Sequence, residues 1–191
     1  VDNGAKIINT SFGKGYSPNK KWVYDAIKYA AKKDVLIVNA AGNDGKDIDI
    51  TKTYPNDSED LVNEISDNVL TIGAMSLHYD EKLLANFSNF GKTNVDVFAP
   101  GVDIYATMPK DKYTPNSGTS MAAPSTAGIA ALVRSYYPKL SASQVKHILM
   151  NSGIKINFEV IKPGSQSRAN PNGEKVPFSD LCVSGRVVNA Y

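Results

Sequence analysis

The sequence is short of the features that mark several broad classes of protein. It has a single cysteine, Cys182, which excludes a scaffold held by disulfides within the chain. No apolar run approaches the roughly 18 residues that a membrane-spanning helix needs. Basic and acidic side chains nearly balance, at 21 and 19, so the charge does not indicate nucleic-acid binding. No signal peptide is recognisable, and Val1-Asp2-Asn3-Gly4 resembles the interior of a polypeptide more than a natural start.

What the sequence does have is the composition of a globular domain. Its 191 residues are 42% hydrophobic and 21% charged, which suits one ordinary domain, or part of a larger one, with a sizeable core. Cys182 lies between Leu181 and Val183 with no histidine near it in sequence. We therefore interpret it as a packed thiol and not as a nucleophile.

The first part of the chain predicts a β-α-β unit. Residues 5–10 and 35–38 are short strands, the second one continuously apolar, as parallel strands covered on both faces are. Between them, 18–33 has apolar residues at helical spacing, Trp22 among them, after Ser17 as the N-cap. The crossover should be right-handed. Further strands are predicted at 69–72, 95–98 and 104–106.

The second half predicts two helices and an irregular segment. Residues 119–137 are small and apolar on nearly every side, which indicates a buried helix. A second helix, 142–151, follows Ser141 as N-cap and ends at Gly153. Residues 154–180 contain three prolines and two glycines and predict an irregular insertion.

Acidic residues are concentrated in a long loop at 44–67. Eight of them stand there against Lys46 and Lys52: Asp44, Asp47, Asp49, Asp57, Glu59, Asp60, Glu64 and Asp67. Two interpretations stay open, a solvated surface loop and a cation site or acidic rim of a binding cleft. The spacing does not match an EF-hand loop, so no metal ligands are assigned.

Three segments carry candidate chemistry. Asn-Thr-Ser-Phe-Gly at 9–13 follows the first strand and Asn-Ala-Ala-Gly-Asn at 39–43 follows the second; α/β sheets place ligands at such strand ends. Gly-Thr-Ser-Met-Ala-Ala-Pro at 118–124 opens the central helix. Ser120 would there lie beside free N–H groups and the positive end of the helix dipole, which stabilise developing negative charge. A helix N-cap without chemistry is the alternative for Ser120.

Together these segments resemble the subtilisin-like serine proteases. Gly-Thr-Ser-Met-Ala-Ala-Pro is similar to that family's nucleophile motif, and Ala-Ala-Gly-Asn at 40–43 to its oxyanion-hole motif. Ile-Asn-Thr-Ser-Phe-Gly at 8–13 resembles its substrate-binding strand end, and Val-Phe-Ala-Pro-Gly-Val at 97–102 a turn of the same fold. Gly-Arg-Val-Val-Asn-Ala at 185–190 resembles the segment that closes such domains. The resemblance covers about 1–153 and 182–191.

The resemblance implies a fold and roles for residues. The fold would be α/β, with three layers and a doubly wound, mostly parallel sheet, and 1–191 would be the C-terminal portion of one catalytic domain. Ser120 would be the acylating nucleophile, and Asn43 would donate its side-chain amide to the oxyanion. An extended polypeptide would be the substrate. The substrate-binding residues implied are Ser11, Phe12, Gly13, Ala40, Ala41, Gly42 and Thr119. The chemistry needs no cofactor or metal; structural calcium is compatible with the family, without assigned ligands.

A general base is missing from the place where the family has one. The family's triad runs Asp, His, Ser, with both partners before the oxyanion asparagine, yet no histidine precedes Asn43. His78 and His147 follow it, and we interpret both as surface or packing residues. We therefore expect the triad Asp and His to lie upstream, outside this sequence, and we expect no meaningful peptidase activity from this chain alone.

Further expectations follow from an incomplete domain. Unpaired strand edges and uncovered apolar faces should make the chain dimerise, swap segments or pair with the missing N-terminal half. The family alone suggests a secreted or cell-envelope protein. Two other functions stay open, a pseudoprotease that binds peptides without cleaving them and an esterase of another fold. The esterase is disfavoured because Gly-Thr-Ser-Met-Ala at 118–122 lacks the final glycine of the α/β-hydrolase elbow.

Overall fold

The structure is a computed structural model that describes residues 1–190; Tyr191, the last residue of the range 182–191 covered by the resemblance, lies outside the described residues. The fold is α/β, as predicted. In chain order the elements are β1 (Ile7–Thr10), α1 (Lys20–Lys32), β2 (Leu36–Ala40), β3 (Val69–Met75), β4 (Val97–Pro100), β5 (Ile104–Met108), β6 (Lys112–Asn116), α2 (Thr119–Tyr136), α3 (Ala142–Ser152), β7 (Ile154–Lys155), β8 (Glu159–Ile161), β9 (Lys175–Pro177), a 3₁₀ turn (Phe178–Asp180) and β10 (Arg186–Val187). Among residues 1–190, no helix is both long and apolar enough to cross a membrane.

The main sheet is mostly parallel, which confirms the prediction. Its strand order is β1-β2-β3-β4-β10-β7. All neighbours are parallel except β7, which runs antiparallel to β10. The central strand β3 is buried along nearly its whole length, and its apolar sequence fits a strand that is covered on both faces. In the described part of the chain, β1 pairs with β2 alone and forms one edge of the sheet.

Helices lie on both faces of this sheet, as the predicted three layers require. Successive side chains of a strand point to opposite faces. Leu36 and Val38 of β2 belong to a core that includes residues of α2 and α3. Ile37, between them, faces a cavity lined by α1. The first β-α-β unit therefore crosses over on the face opposite to α2.

The segment 154–180 is more regular than predicted. β7 joins the main sheet, and β8 pairs with β9 in a separate hairpin. Ile156, Val160 and Phe178 pack with Phe98 of β4 in a second apolar cluster. Gly73 lies where any side chain would collide with the ring of Phe98. The sequence predicts only an irregular segment here because strands of two or three residues show no readable periodicity.

The start of α1 also differs from the prediction. Asn19, and not Ser17, is its N-cap, and no side-chain hydrogen bond caps this helix. Trp22, predicted on the buried face, is 71% exposed, whereas Ile27 is buried. Five residues apart at 3.6 residues per turn, the two side chains lie about 140° apart around the helix. Trp22 nevertheless lines the apolar cavity between α1 and the sheet together with Ile27, so it lies at the open margin of the inner face, which no described residue covers.

The later elements confirm most of the predicted bounds. Ser141 caps α3 through a capping box with Gln144. The helix α2 is not buried on nearly every side, since Pro124 and Gly128 are exposed; small residues allow close packing but do not enforce it. The strand predicted at 104–106 exists, but it pairs with β6 in a hairpin outside the main sheet.

Arg134, near the end of α2, ties three connections together. Its guanidinium donates to the backbone carbonyls of Asp34 (3.0 Å) and Lys6 (3.4 Å) and to the Asp34 carboxylate. The other Asp34 carboxylate oxygen accepts from the Ala142 N–H at 2.7 Å, at the start of α3. Arg134 is only 8% exposed, so water screens its bonds little. These bonds join the end of α2 to the turn before β2, to the segment before β1 and, through Asp34, to the start of α3.

We expect Arg134→Met to lower the free energy of unfolding by about 1–3 kcal/mol, because it leaves two carbonyls and a carboxylate without their donor. Lys21→Met is the matched control: Lys21 pairs with Asp25 at 2.6 Å on the exposed side of α1, and surface pairs contribute little. Urea denaturation followed by circular dichroism measures both variants. Equal midpoints for the two would show that Arg134 does not hold these connections.

Candidate active site

Ser120 lies where the first turn of α2 meets the end of β1. Its hydroxyl donates to the backbone carbonyl of Ser11 at 3.3 Å, and the Ser11 hydroxyl donates to the Ser120 carbonyl at 2.8 Å. Ser120 is the second residue of α2, so its N–H is one of the four at a helix start that have no intrahelical acceptor. The hydroxyl and a free N–H donor of the same residue therefore sit at the positive end of the helix dipole.

Asn43 is oriented by Thr119. Its side-chain oxygen Oδ1 accepts from the Thr119 N–H and from the Thr119 hydroxyl, both at 2.9 Å. The same hydroxyl accepts from the Gly42 N–H at 3.1 Å. Because Oδ1 takes both bonds, the Nδ2 donor is left on the other side, 3.4 Å from where a Cβ on Gly118 would stand. An amide donor thus lies beside the turn that carries Ser120.

A pocket of about 330 Å³ opens next to these two residues. Its lining includes all the predicted substrate-binding residues except Ser11: Phe12, Gly13, Ala40, Ala41, Gly42 and Thr119, together with Asn43 and Ser120. Ser11 lies next to it through its bonds to Ser120. Phe12 is 68% exposed and Thr119 is fully buried. The Thr119 hydroxyl is already occupied by Asn43 and Gly42, so Thr119 holds the site together, and its side chain does not face outward.

Among the pocket-lining residues that sequence reasoning missed, four come from loops distant in the chain. Thr53, Tyr54 and Pro55 form its far wall, where Tyr54 exchanges backbone hydrogen bonds with Lys14, both at 2.9 Å. Asn89, from the loop between β3 and β4, lies beneath. No local pattern marks these residues, because the loops that bring them to the pocket are folded back by tertiary contacts.

Within residues 1–190, neither histidine is placed to act as a general base on Ser120. The hydrogen-bond partners of Ser120 are on Ser11, and no histidine lines the pocket. His78 is exposed in the loop after β3. His147, on α3, contacts the Asp67 carboxylate at 2.9 Å. Asp67 precedes β3, so this Asp-His pair lies at the amino ends of the strands, whereas Ser120 lies at their carboxyl ends.

Two carboxylates of the acidic loop 44–67, those of Glu64 and Asp67, pair with a lysine of α3. Lys146 of α3 is 1% exposed, and its ammonium group lies 2.6 Å from the Glu64 carboxylate, 3.5 Å from Asp67 and 3.9 Å from Asp96. Residues 1–190 contain no group of three or more acidic, histidine or cysteine side chains that could hold a metal ion. Part of the loop is thus an internal ion-pair network and not a solvated surface loop; structural calcium stays a prediction.

Burial shifts the proton affinities in this network. It raises the pKa of Asp57 to about 7, with help from the neighbouring charge of Asp96. It also raises the pKa of Asp96 to about 6, although Lys146 and the Thr71 N–H oppose the shift. Burial alone would lower the pKa of Lys146, but the surrounding carboxylates raise it. Lys146 is therefore the charge that opposes protonation of the buried carboxylates.

Comparison with known protein families agrees with the resemblance seen in the sequence motifs. Residues 1–178 match the family model described as the subtilase family. The chain belongs to the subtilase family. It is 38% identical over 159 residues to subtilisin DY of Bacillus licheniformis, covering 82% of this chain and 52% of that protein. It is 37% identical over 176 residues to the cell wall-associated protease of Bacillus subtilis strain 168, covering 92% of this chain and 18% of that protein.

A solved structure of a maturation protease has a similar fold. The prenylagaramide maturation protease PagA superposes with a TM-score of 0.71 at 28% identity, covering 99% of this chain and 60% of that one. The subtilase chain described here thus spans about half the length of subtilisin DY and less than a fifth of the cell wall-associated protease. The relatives are serine proteases, which makes hydrolysis of peptide bonds the chemistry to test.

We expect Lys146→Met to destabilise this subtilase chain by about 3 kcal/mol at pH 8, because it leaves buried carboxylates without their counter-charge. The raised folded pKa values of Asp57 and Asp96 mean that both groups cost stability as the pH rises from about 4 towards 7. The loss of unfolding free energy caused by Lys146→Met should therefore be smaller at pH 5, where Asp57 and Asp96 are protonated and need no counter-charge.

The measurement is urea denaturation of both proteins from pH 5 to 8. Lys139→Met is the control, since Lys139 is exposed just before α3. If Lys146→Met destabilises the protein equally at pH 5 and pH 8, Lys146 is not the counter-charge of the buried carboxylates.

Proposed function

We propose that this chain supplies the nucleophile and the oxyanion hole of a serine endopeptidase of the subtilisin type. The observation that carries the proposal is the meeting of the Ser120 hydroxyl and the oriented Asn43 amide at one pocket. Two donors, the Ser120 N–H and the Asn43 Nδ2, would stabilise the oxyanion where negative charge develops. The helix dipole of α2 adds to this stabilisation.

The reaction would run through an acyl-enzyme. The Ser120 oxygen attacks the peptide carbonyl carbon, its proton passes to a general base, and the carbonyl oxygen becomes the oxyanion. The C–N bond then breaks, and the amine leaves with the proton returned by the base. Water, deprotonated by the same base, attacks the ester, and Ser120 regains its proton as the acid product leaves.

The substrate would be an extended polypeptide. Residues 11–13 follow β1, which is a sheet edge in the described chain, and a free edge offers N–H and C=O groups for strand addition. The pocket of about 330 Å³ beside Ser120 would take the side chain that precedes the cleaved bond. Backbone pairing on one side and a pocket on the other would fix the carbonyl against Ser120.

The general base would come from residues outside 1–190. Neither His78 nor His147 reaches Ser120, and β1 leaves one edge unpaired. An apolar cavity of about 750 Å³ lies between α1 and β1, with Trp22, Ile8 and Ile37 in its lining. Uncovered apolar surface of this kind favours association. We propose that a segment carrying the Asp and His of the triad joins this face, and that a dimer of this chain is the competing occupant.

Non-catalytic peptide binding is the second candidate. It is favoured by the absence of a histidine within reach of Ser120 among the described residues. The productive orientation of Asn43 speaks against it, because a peptide-binding module has no need for an amide held at an oxyanion position. The location is proposed as the cell envelope or outside, in line with the cell wall-associated relative; the family also includes a major intracellular serine protease of Bacillus subtilis.

We expect a longer protein that contains this chain to hydrolyse a chromogenic peptide, and residues 1–191 alone to show no hydrolysis. In the longer protein, Ser120→Ala should lower turnover by about 10⁶, as loss of the serine does in subtilisin. Asn43→Ala should lower turnover by about 10²–10³, a value carried over from the oxyanion asparagine of that relative.

Ser125→Ala is the matched control, because Ser125 is exposed on α2 and its hydroxyl bonds only to the Met121 carbonyl. Its turnover should equal that of the unmodified protein. Rapid hydrolysis by residues 1–191 alone would contradict the proposal that the general base comes from outside this chain. Peptide binding without cleavage by the longer protein would favour non-catalytic peptide binding.

A further inference from the structure

Asn89 is a fully buried amide beneath the turn that carries Asn43. Its side-chain Nδ2 donates to the Ala41 carbonyl at 2.9 Å, and its own N–H donates to the Gly42 carbonyl at 2.9 Å. Its Oδ1 accepts from the N–H groups of Asp44 at 3.1 Å and Lys46 at 3.0 Å. Asn89 is 0% exposed, so water does not compete for these bonds. Four hydrogen bonds thus bracket Asn43 on both sides.

The turn is shaped to receive this amide. Gly42 has φ +106°, a conformation that side chains rarely adopt, and a Cβ there would collide with the Asn89 amide. Both acceptor positions of Oδ1 are filled by the turn, as expected of a buried amide that is fully used. The turn and Asn89 therefore form one packed unit, in which a glycine makes room for the amide.

Asn89 is in turn fixed to the sheet. The Ser88 hydroxyl donates to the Asn89 carbonyl at 2.8 Å and accepts from the Ala74 N–H of β3 at 2.9 Å. Ser88 is also fully buried. A continuous path of hydrogen bonds therefore runs from β3 through Ser88 and Asn89 to the backbone on both sides of Asn43.

The position of Asn43 depends on this path because its side chain is otherwise exposed. Thr119 sets the direction of the Asn43 amide through Oδ1 and holds the backbone before Asn43 through the Gly42 N–H. Asn89, by contrast, holds the backbone on both sides of Asn43. An oxyanion donor must come within about 2.7–3.1 Å of the charged oxygen, and a misplacement of about 1 Å costs about 10² in rate. The backbone of the turn must therefore be held to a fraction of an ångström.

We propose that Asn89 is a positioning residue of the oxyanion hole, which holds the turn 41–46 so that Asn43 Nδ2 and the Ser120 N–H converge on one oxygen. This inference rests on the proposed function for its effect on rate. Its structural part, the dependence of the Asn43–Thr119 contact on Asn89, stands independently of catalysis.

The kinetic test is a double-mutant cycle in a longer peptidase that contains this chain. Asn89→Ala should lower turnover about 10- to 100-fold through misplacement of Asn43. In the Asn43→Ala background the same change should lower turnover less than about twofold, because the group that it positions is gone. Equal effects in both backgrounds would overturn the proposal.

Asn68→Ala is the matched control for stability. Asn68 is 2% exposed and donates to the Val35 carbonyl at 2.9 Å, at the opposite end of the sheet. It should lower the unfolding midpoint as Asn89→Ala does while leaving the turnover of the folded protein unchanged. Asn89→Asp serves if Asn89→Ala does not fold: it keeps the acceptors for Asp44 and Lys46 but places a carboxylate oxygen against the Ala41 carbonyl in place of the donor, and it should lower turnover in the same cycle.

Hydrogen exchange in residues 1–191 separates this inference from the proposed function. The Thr119 N–H, protected by Asn43 Oδ1 in the unmodified chain, should exchange at least about tenfold faster in Asn89→Ala and unchanged in Asn68→Ala. Unchanged exchange of Thr119 in Asn89→Ala would overturn the positioning role, whether or not the longer protein cleaves peptides. If the Thr119 N–H exchanges faster in Asn89→Ala but the longer protein has no peptidase activity, the positioning role of Asn89 is supported and the proposed function is rejected.

Discussion

Hydrogen bonds between the first turn of α2 and the turn after β2 hold the site in place. Thr119 donates twice to Asn43 and accepts from Gly42, which joins segments 76 and 77 residues apart. Ser11 and Ser120 exchange two further bonds, between residues 109 apart. A helix start has N–H groups without intrahelical acceptors: the Thr119 N–H anchors the helix to the turn after β2, and the Ser120 N–H is the donor proposed for the oxyanion.

A buried lysine, Lys146, pairs with carboxylates of the acidic loop and of the segment before β4. The acidic loop after β2 looks from sequence like a surface rim or a cation site, yet Lys146 from α3 enters it. A buried ion pair is weak support for stability by itself, because desolvation offsets much of the attraction. Its effect is to fix where the loop lies, and this loop contributes Thr53, Tyr54 and Pro55 to the pocket beside Ser120. Electrostatics thus shapes the pocket from a distance.

Elements that follow local rules were predictable, and those set by long-range contacts were not. The apolar runs of β1, β2 and β3 and the capping box at Ser141 are local signals, and the structure confirms them. Trp22 is exposed at the open margin of the cavity between α1 and the sheet, because a periodic pattern does not say how much of the inner face is covered. The strands β7 to β10 are too short for any pattern and exist through pairing with neighbours.

The sequence by itself determined the family and the fold class and singled out Ser120 and Asn43 as the candidates for chemistry, because glycines, small residues and a helix start impose recognisable spacing. Tertiary structure alone decided that Asn89 lies under the Asn43 turn, that Lys146 enters the acidic loop and that Thr119 faces inward. Each of these rests on polar groups far apart in the chain that must find partners once buried. That requirement acts only after the sheet has assembled, so no local pattern records it.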